Sequence, residues 1–268
     1  MSVETTRRLP SGALMPTLGL GVWQMDEGRE TEQAVEWALA AGYRHVDTAA
    51  MYRNERSVGV AIRRSAVPRE SVFVTTKLMP ARLDAERALD QSLGRLGFDY
   101  VDLYLIHWPL PAAYPRQWRK LESLREQGLA RDIGVSNFGV RELDALARGG
   151  DQVPAVNQVQ FSPFEYRRGL LDECEQRGIV FEAYSPLAQG SGPGNPAIVA
   201  VAERVSRTPA QVMLRWALQR GTVVIPKSSR RERIESNAQV FDFELDDRAM
   251  AELDALDRSG GTIRARGR

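Results

Sequence analysis

Asp47, Lys77 and His107 stand 30 residues apart, and Tyr52 follows Asp47 by five. The chain has only three lysines (Lys77, Lys120, Lys227) and two histidines (His45, His107), so a lysine and a histidine at matching positions carry weight. An interval of about 30 residues is one strand-plus-helix unit. Residues repeating at that interval come from adjacent strands and converge at one end of a sheet. A free phenol, with a pKa of about 10, is a weak acid near neutrality. A neighbouring ammonium favours the phenolate and lowers that pKa, and a carboxylate keeps a buried lysine charged. An imidazole binds a substrate oxygen or relays the proton. Taken singly, each has a plainer reading: a capping Asp, a packing Tyr, a solvated Lys. Together they make a proton donor aimed at an oxygen.

Other chemistries find less support. The two histidines and the single Cys174 show no metal-ligand spacing, and no G-x-S-x-G elbow occurs. Residues 192–197 formally fit G-x-G-x-x-A. Two prolines fall inside that stretch, however, and no acidic residue lies between Pro209 and Gly221, so it reads as a loop. An acid poised for an oxygen fits carbonyl reduction, provided a hydride donor binds.

The elements that must position these residues repeat along the chain. Eight short apolar runs, at 18–23, 45–49, 72–78, 101–108, 130–136, 155–161, 180–185 and 222–225, read as buried parallel strands. Amphipathic helical segments lie at 30–41, 84–96, 117–127, 140–147, 168–177, 196–205 and 209–220, several followed by a glycine stop. Eight such units predict an α/β protein with a (β/α)8 TIM barrel and a short β-hairpin over 8–16 ahead of it. A doubly wound sheet is the alternative. No linker interrupts the pattern, so 1–268 is read as a single domain with a short flexible tail at about 257–268. In a barrel, chemistry collects at the C-terminal ends of the strands.

Composition narrows the setting. Of 268 residues, 43% are hydrophobic and 26% charged, and the net charge is +1. That balance gives no support to nucleic-acid or membrane-surface binding. A single cysteine excludes an intrachain disulfide, residues 1–8 lack the apolar core of a signal peptide, and no apolar run approaches a membrane span. The expectation is a cytoplasmic monomer acting on a small molecule.

Residues 42–55 (Gly-Tyr-Arg-His-Val-Asp-Thr-Ala-Ala-Met-Tyr-Arg-Asn-Glu) resemble the first signature of the aldo-keto reductases. The segments 105–109, 133–138 and 225–228 resemble further segments of that family, and the likeness runs from about Leu9 to Leu256. Within the family the short loops resemble the bacterial 2,5-diketo-D-gluconate reductase-like branch. The resemblance implies an NADPH/NADP+-dependent reductase of aldehydes and ketones, such as keto-sugar acids and methylglyoxal-type aldehydes. It implies Tyr52 as general acid, Lys77 and Asp47 as the pair that lowers its pKa, and His107 as the orienter of the carbonyl.

The same resemblance implies that Ser136, Asn137 and Gln158 hold the nicotinamide, with Tyr184 stacked on it, and that Leu187 meets the pyrophosphate. After the eighth strand it implies cofactor contacts from Ile225, Lys227, Ser228, Ser229, Arg233, Ser236 and Asn237. Lys227 and Arg233 would clamp the adenosine 2′-phosphate, which favours NADPH over NADH. Trp23, Met79, Trp108 and Phe138 are the implied substrate walls. Met79 stands where many relatives have Trp, and Ser236 where many have Glu; with the short tail, these imply an open site with looser adenine recognition. Two further readings stay open: a Schiff-base aldolase or isomerase with Lys77 as nucleophile, and a nucleotide-binding regulatory subunit without turnover.

Overall fold

The computed structural model describes residues 5–260. A hairpin of β1 (Thr6–Arg8) and β2 (Leu14–Pro16) precedes eight parallel strands. These are β3 (Leu20–Gly21), β4 (His45–Asp47), β5 (Phe73–Leu78), β6 (Val101–Ile106), β7 (Ala130–Ser136), β8 (Val156–Gln160), β9 (Val180–Tyr184) and β10 (Val223–Ile225). Their spatial order is their sequence order. The ring closes where Gly19 N–H donates to the Val224 carbonyl (2.9 Å), Gly21 N–H to that of Pro226 (3.1 Å) and Val224 N–H to that of Thr17 (2.8 Å). The two glycines permit this approach: a Cβ at Gly21 would lie 2.9 Å from the Ile225 carbonyl oxygen, and one at Gly19 would lie 2.6 Å from His45 Nδ1. The (β/α)8 barrel expected from the sequence is therefore the fold.

Ten helices are described: α1 (Arg29–Ala40), α2 (Glu55–Arg64), α3 (Ala85–Leu96), α4 (Tyr114–Glu126), α5 (Val140–Gly149), α6 (Arg168–Gln176), α7 (Pro196–Arg204), α8 (Pro209–Gln219), α9 (Arg231–Ala238) and α10 (Asp247–Asp254). Local chemistry fixes several ends. Asp84 accepts from Arg87 N–H to cap α3, Asn195 accepts from Ala197 N–H to cap α7, and Thr208 with Gln211 forms a capping box on α8. Residues 192–194 form a single tight turn before α7, so the glycine–proline stretch is a loop, as its prolines require.

Helix α2 has no counterpart among the helical segments expected from sequence. Half of its residues are charged or glycine, yet it buries Val58, Gly59, Ala61 and Ile62. A Cβ on Gly59 would fall 1.8 Å from the Leu96 carbonyl oxygen, so the glycine that weakens the helical signal lets α2 lie against the end of α3.

Alternation along the strands divides the interior in two. One small core holds Phe73, Leu103, Leu105, Val156 and Val223, which face inward, together with Leu9 and Met15 of the hairpin. The hairpin thus closes the bottom of the barrel. It is tied there by Ser11, whose N–H donates to Asp132 Oδ1 (3.1 Å) and whose hydroxyl donates to Oδ2. The larger core lies between the strands and the helices. Each large apolar side chain buried this way contributes about 1.5–3 kcal/mol.

The flexible tail expected at about 257–268 is only partly within the described residues. Its first residues are tethered: Asp257 Oδ1 accepts from Tyr166 N–H (3.1 Å), and Arg258 N–H donates to the Phe164 carbonyl (3.1 Å). Positions 261–268 lie outside the described residues.

Candidate active site

Strand ends carry the polar residues upward to one mouth. Asp47 is the last residue of β4, Lys77 lies next to the end of β5, and His107 directly follows β6. Tyr52 closes a 3-10 turn, Ala50–Tyr52, that follows β4. Asn54, fully buried, fixes this turn. It accepts from the Thr48 hydroxyl (2.8 Å) and donates to the carbonyls of Val22 (2.8 Å) and Met25 (3.1 Å). Sequence reasoning gave Asn54 no role, although it stands within the 42–55 segment, two residues after Tyr52.

Lys77 is 0% exposed. Its Nζ donates to Asp47 Oδ1 (2.6 Å) and Oδ2 (2.8 Å), to the Thr48 carbonyl (2.9 Å) and to the Tyr52 hydroxyl (3.3 Å). Burial opposes the charge on Lys77, but Asp47, and then Tyr52, outweigh it and hold its pKa above the ordinary value. His107 packs edge-on to Tyr52, with ring centroids 5.6 Å apart. Burial, helped by the Lys77 charge, pushes the His107 pKa down to about 3, so the ring is neutral at pH 7. Its Nδ1 is buried without a partner, which leaves Nε2 as the nitrogen available to a ligand.

One electrostatic expectation needs correction. Lys77 does pull the Tyr52 pKa down, but burial raises it more strongly and Asp47 adds to the rise. The net position of the phenol is above its ordinary value, because a half-buried hydroxyl resists ionisation. Asp47 therefore acts on Tyr52 in two opposed ways: its own charge raises the phenol pKa, while it keeps Lys77 charged and in place.

Beneath this layer lies a second one that the sequence reading missed. Gln158 Nε2 donates both to Asp47 Oδ2 (2.7 Å) and to Glu182 Oε2 (2.8 Å). Glu182 Oε1 lies 3.5 Å from Nε2 of the buried His45, which also meets the Thr75 hydroxyl at 3.3 Å. Burial first, and then the charge of Asp47, pushes the Glu182 pKa up to about 8. Glu182 lies two residues before Tyr184 on β9, so strand alternation alone would have aimed it into the barrel.

Ser136 and Tyr184 at the ends of β7 and β9, Asn137 just after β7 and Gln158 within β8 come together. Tyr184 donates to Asn137 Oδ1 (2.9 Å), Asn137 Nδ2 donates to the His107 carbonyl (3.2 Å) and the Ser136 hydroxyl (2.9 Å), and Ser136 donates to the Gln158 carbonyl (2.9 Å). Asn137 has a left-handed backbone, φ 64°, which Asn tolerates better than most residues. Among the described residues, Gln158 Oε1 accepts no hydrogen bond. It is a free acceptor beside a half-exposed Tyr184 ring whose hydroxyl is tied down, which fits a planar carboxamide-bearing ring.

The remaining residues spread along the mouth. Leu187 is half-buried just after β9, and Ile225 ends β10. Lys227 and Arg233 are exposed, Ser229 and Ser236 are half-buried, and Ser228 and Asn237 are buried. The Asp26 N–H first, and then Ser229 and Lys227, hold the Glu30 carboxyl below its ordinary value, which brings the start of α1 to this segment. Arg233 has no carboxylate partner among the described residues. Trp23 and Met79 are exposed and Trp108 is half-buried. Phe138 is different: it is 0% exposed and packs edge-on to Tyr114 at 5.2 Å, so it backs the helix layer rather than forming an open wall.

The profile of the aldo/keto reductase family matches residues 17–258. The chain belongs to this family. It is 45% identical over 260 residues to a glyoxal reductase of Bacillus subtilis, covering 96% of this chain and 94% of that protein. It is 52% identical over 248 residues to an aldo-keto reductase of Mycolicibacterium vanbaalenii, covering 91% and 88%. The crystal structure of an aldo/keto reductase from Brucella melitensis superposes with a TM-score of 0.90 at 40% identity, covering 94% of this chain and 99% of that one. This aldo-keto reductase is an oxidoreductase, and members of the family generally use nicotinamide cofactors. No helix among the described residues is long and apolar enough to cross a membrane.

Proposed function

We propose that this aldo-keto reductase is an NADPH-dependent reductase of small aldehydes and ketones, with Tyr52 as proton donor. The observation that carries the reading is the Lys77 ammonium, 3.3 Å from the Tyr52 hydroxyl and clamped by both oxygens of Asp47. When bound, the nicotinamide supplies the hydride. The free Gln158 acceptor, with Ser136 and Asn137, would hold its carboxamide, and Tyr184 its ring face. Lys227 and Arg233 would hold the 2′-phosphate, the chemistry that separates NADPH from NADH.

The protein's own part is proton delivery. His107 Nε2 orients the carbonyl oxygen beside Tyr52. A neutral imidazole does this as a hydrogen-bond donor without adding a second charge next to Lys77. As negative charge grows on the oxygen, Tyr52 gives up its proton, and the ammonium of Lys77 stabilises the phenolate left behind. A phenol whose pKa stands above its ordinary value holds its proton until the oxygen demands it.

A Schiff-base role for Lys77 sits poorly with this geometry. Its nitrogen donates to four oxygens, is closed to solvent, and is held in the ammonium form. No lone pair is available for attack. Glyoxal-type dicarbonyls and keto-sugar acids are the substrates we favour, on the likeness to the glyoxal reductase and the open Trp23–Met79 side of the mouth.

The test is optical measurement of NADPH and NADH oxidation against methylglyoxal, a diketo-gluconate, an aromatic aldehyde and a simple ketone. Turnover with NADPH at least about tenfold above NADH is expected, since loss of charge-assisted phosphate contacts costs that much or more. Tight NADPH binding with no turnover on the whole panel would replace the enzyme reading with the regulatory one.

A further inference from the structure

Outside the barrel, between α2, α3 and the loop after β5, lies a cavity of about 410 Å³. Its floor is Tyr104 of β6. Tyr104 pairs in register with Thr76, whose hydroxyl reaches outward to Glu55 of α2 (2.6 Å), so Tyr104 also faces the helix layer and not the barrel interior. The reacting groups of Tyr52 and Lys77 point to the other face of the sheet, although Lys77, Leu78 and Met79 at the end of β5 also line the cavity. Tyr104 is 1% exposed, lines the cavity, and its hydroxyl has no hydrogen-bond partner among the described residues. That hydroxyl is not sealed off: the small exposed surface of Tyr104 leaves it open to the cavity.

The walls supply charge. Arg53, Arg56, Arg82 and Arg95 all line the cavity, with Glu27 as the one acidic residue there. Arg95 is matched by Glu55 (2.7 Å), and Arg56 faces Glu27 at 3.7 Å. Arg53 and Arg82 have no carboxylate within ion-pair distance among the described residues; Arg82 meets only the Gln91 amide oxygen, at 3.3 Å. Two solvent-exposed guanidiniums without a carboxylate partner among the described residues and one phenol O–H therefore line one open cavity. Each can donate to an oxyanion that enters the cavity.

We propose that this cavity, on the outer face of β5 and adjoining the active-site strand, is an oxyanion-binding site that takes the phosphate or carboxylate group of a small metabolite between Tyr104 and Arg82. The site does not depend on the reductase reading, since Tyr104 and Arg82, between which the anion would sit, lie outside the proton-transfer set.

The experiment is calorimetric titration with inorganic phosphate, and separately with acetate, at low ionic strength, on the protein saturated with NADP+. Wild type, Lys227→Ala, Arg82→Gln and Tyr104→Phe are compared. One saturable anion is expected, whichever of the two oxyanions binds better. Its affinity should fall about tenfold in Arg82→Gln and severalfold in Tyr104→Phe, and stay unchanged in Lys227→Ala, the typical worth of hydrogen bonds to a charged group. Tyr104→Phe should melt no lower than wild type, because it removes a hydroxyl that has no protein partner. Absence of saturable binding by either anion would overturn the proposal. So would affinities that Arg82→Gln and Tyr104→Phe leave unchanged, or a fall confined to Lys227→Ala.

Discussion

The side-chain nitrogen of Gln158 spans two carboxyls, 2.7 Å from Asp47 and 2.8 Å from Glu182. One amide cannot neutralise two buried anions, and Asp47 already has the Lys77 ammonium. Glu182 is therefore the carboxyl that stays protonated, with a pKa of about 8. A carboxyl whose pKa is raised on folding binds more protons in the native state than in the unfolded one. Between the ordinary glutamate value and about pH 8, rising pH thus removes stability through Glu182. Glu182→Gln keeps the acceptor for Gln158 and abolishes this titration. The melting temperature of the variant relative to wild type should climb from pH 5.5 to pH 8; a pH-independent difference would mean that Glu182 is ionised throughout.

The chain has two histidines, and burial pushes both pKa values down to about 3. Their contribution runs opposite to that of Glu182. A histidine neutral in the fold but basic when unfolded contributes stability fully above about pH 6.5, and loses it as pH falls toward 3. Proton NMR of the ligand-free protein should show neither imidazole titrating between pH 5 and 8. Movement of the His107 signal in that range would place an imidazolium beside Lys77 and require a different proton path.

Asp47 and Lys77 act as a unit in stability as well as chemistry. Removing one partner strands the other as an uncompensated buried charge, at a cost of about 3–5 kcal/mol. Lys77→Met and Asp47→Asn should each lower the urea midpoint sharply, while the double variant recovers much of the loss. Additive effects in that cycle would show that the two groups are not coupled.

Tyr52→Phe removes the proton donor and little else, since its hydroxyl accepts a single hydrogen bond, from Lys77. Turnover should fall by about 10²–10⁴-fold. Cofactor affinity, read by fluorescence quenching, should stay within a factor of about two. Activity near wild type would remove Tyr52 from the mechanism.

Much of the fold was legible because a parallel barrel writes itself as short apolar runs at a steady interval. The 30-residue spacing of Asp47, Lys77 and His107 is that interval seen through its functional residues. What was hard to read sits where one residue type serves an uncommon end. Glu182 lies in an apolar strand and pointed inward by alternation, but a carboxyl there makes sense only once Gln158 is known to reach it. Helix α2 hides behind Gly59, whose missing Cβ is a packing requirement rather than a break. Phe138 follows a site residue in sequence, yet the left-handed Asn137 turns the chain and sends the ring into the helix layer. The direction of the Tyr52 shift depends on depth of burial, which spacing does not report.

Leu9 and Met15 make the barrel a vessel with a sealed floor. Traffic through the Asp47–Lys77–Tyr52–His107 mouth therefore has one doorway. Of two ligands that shared it, the deeper-seated one would have to arrive first and depart last, a constraint set by the packed interior that the hairpin completes.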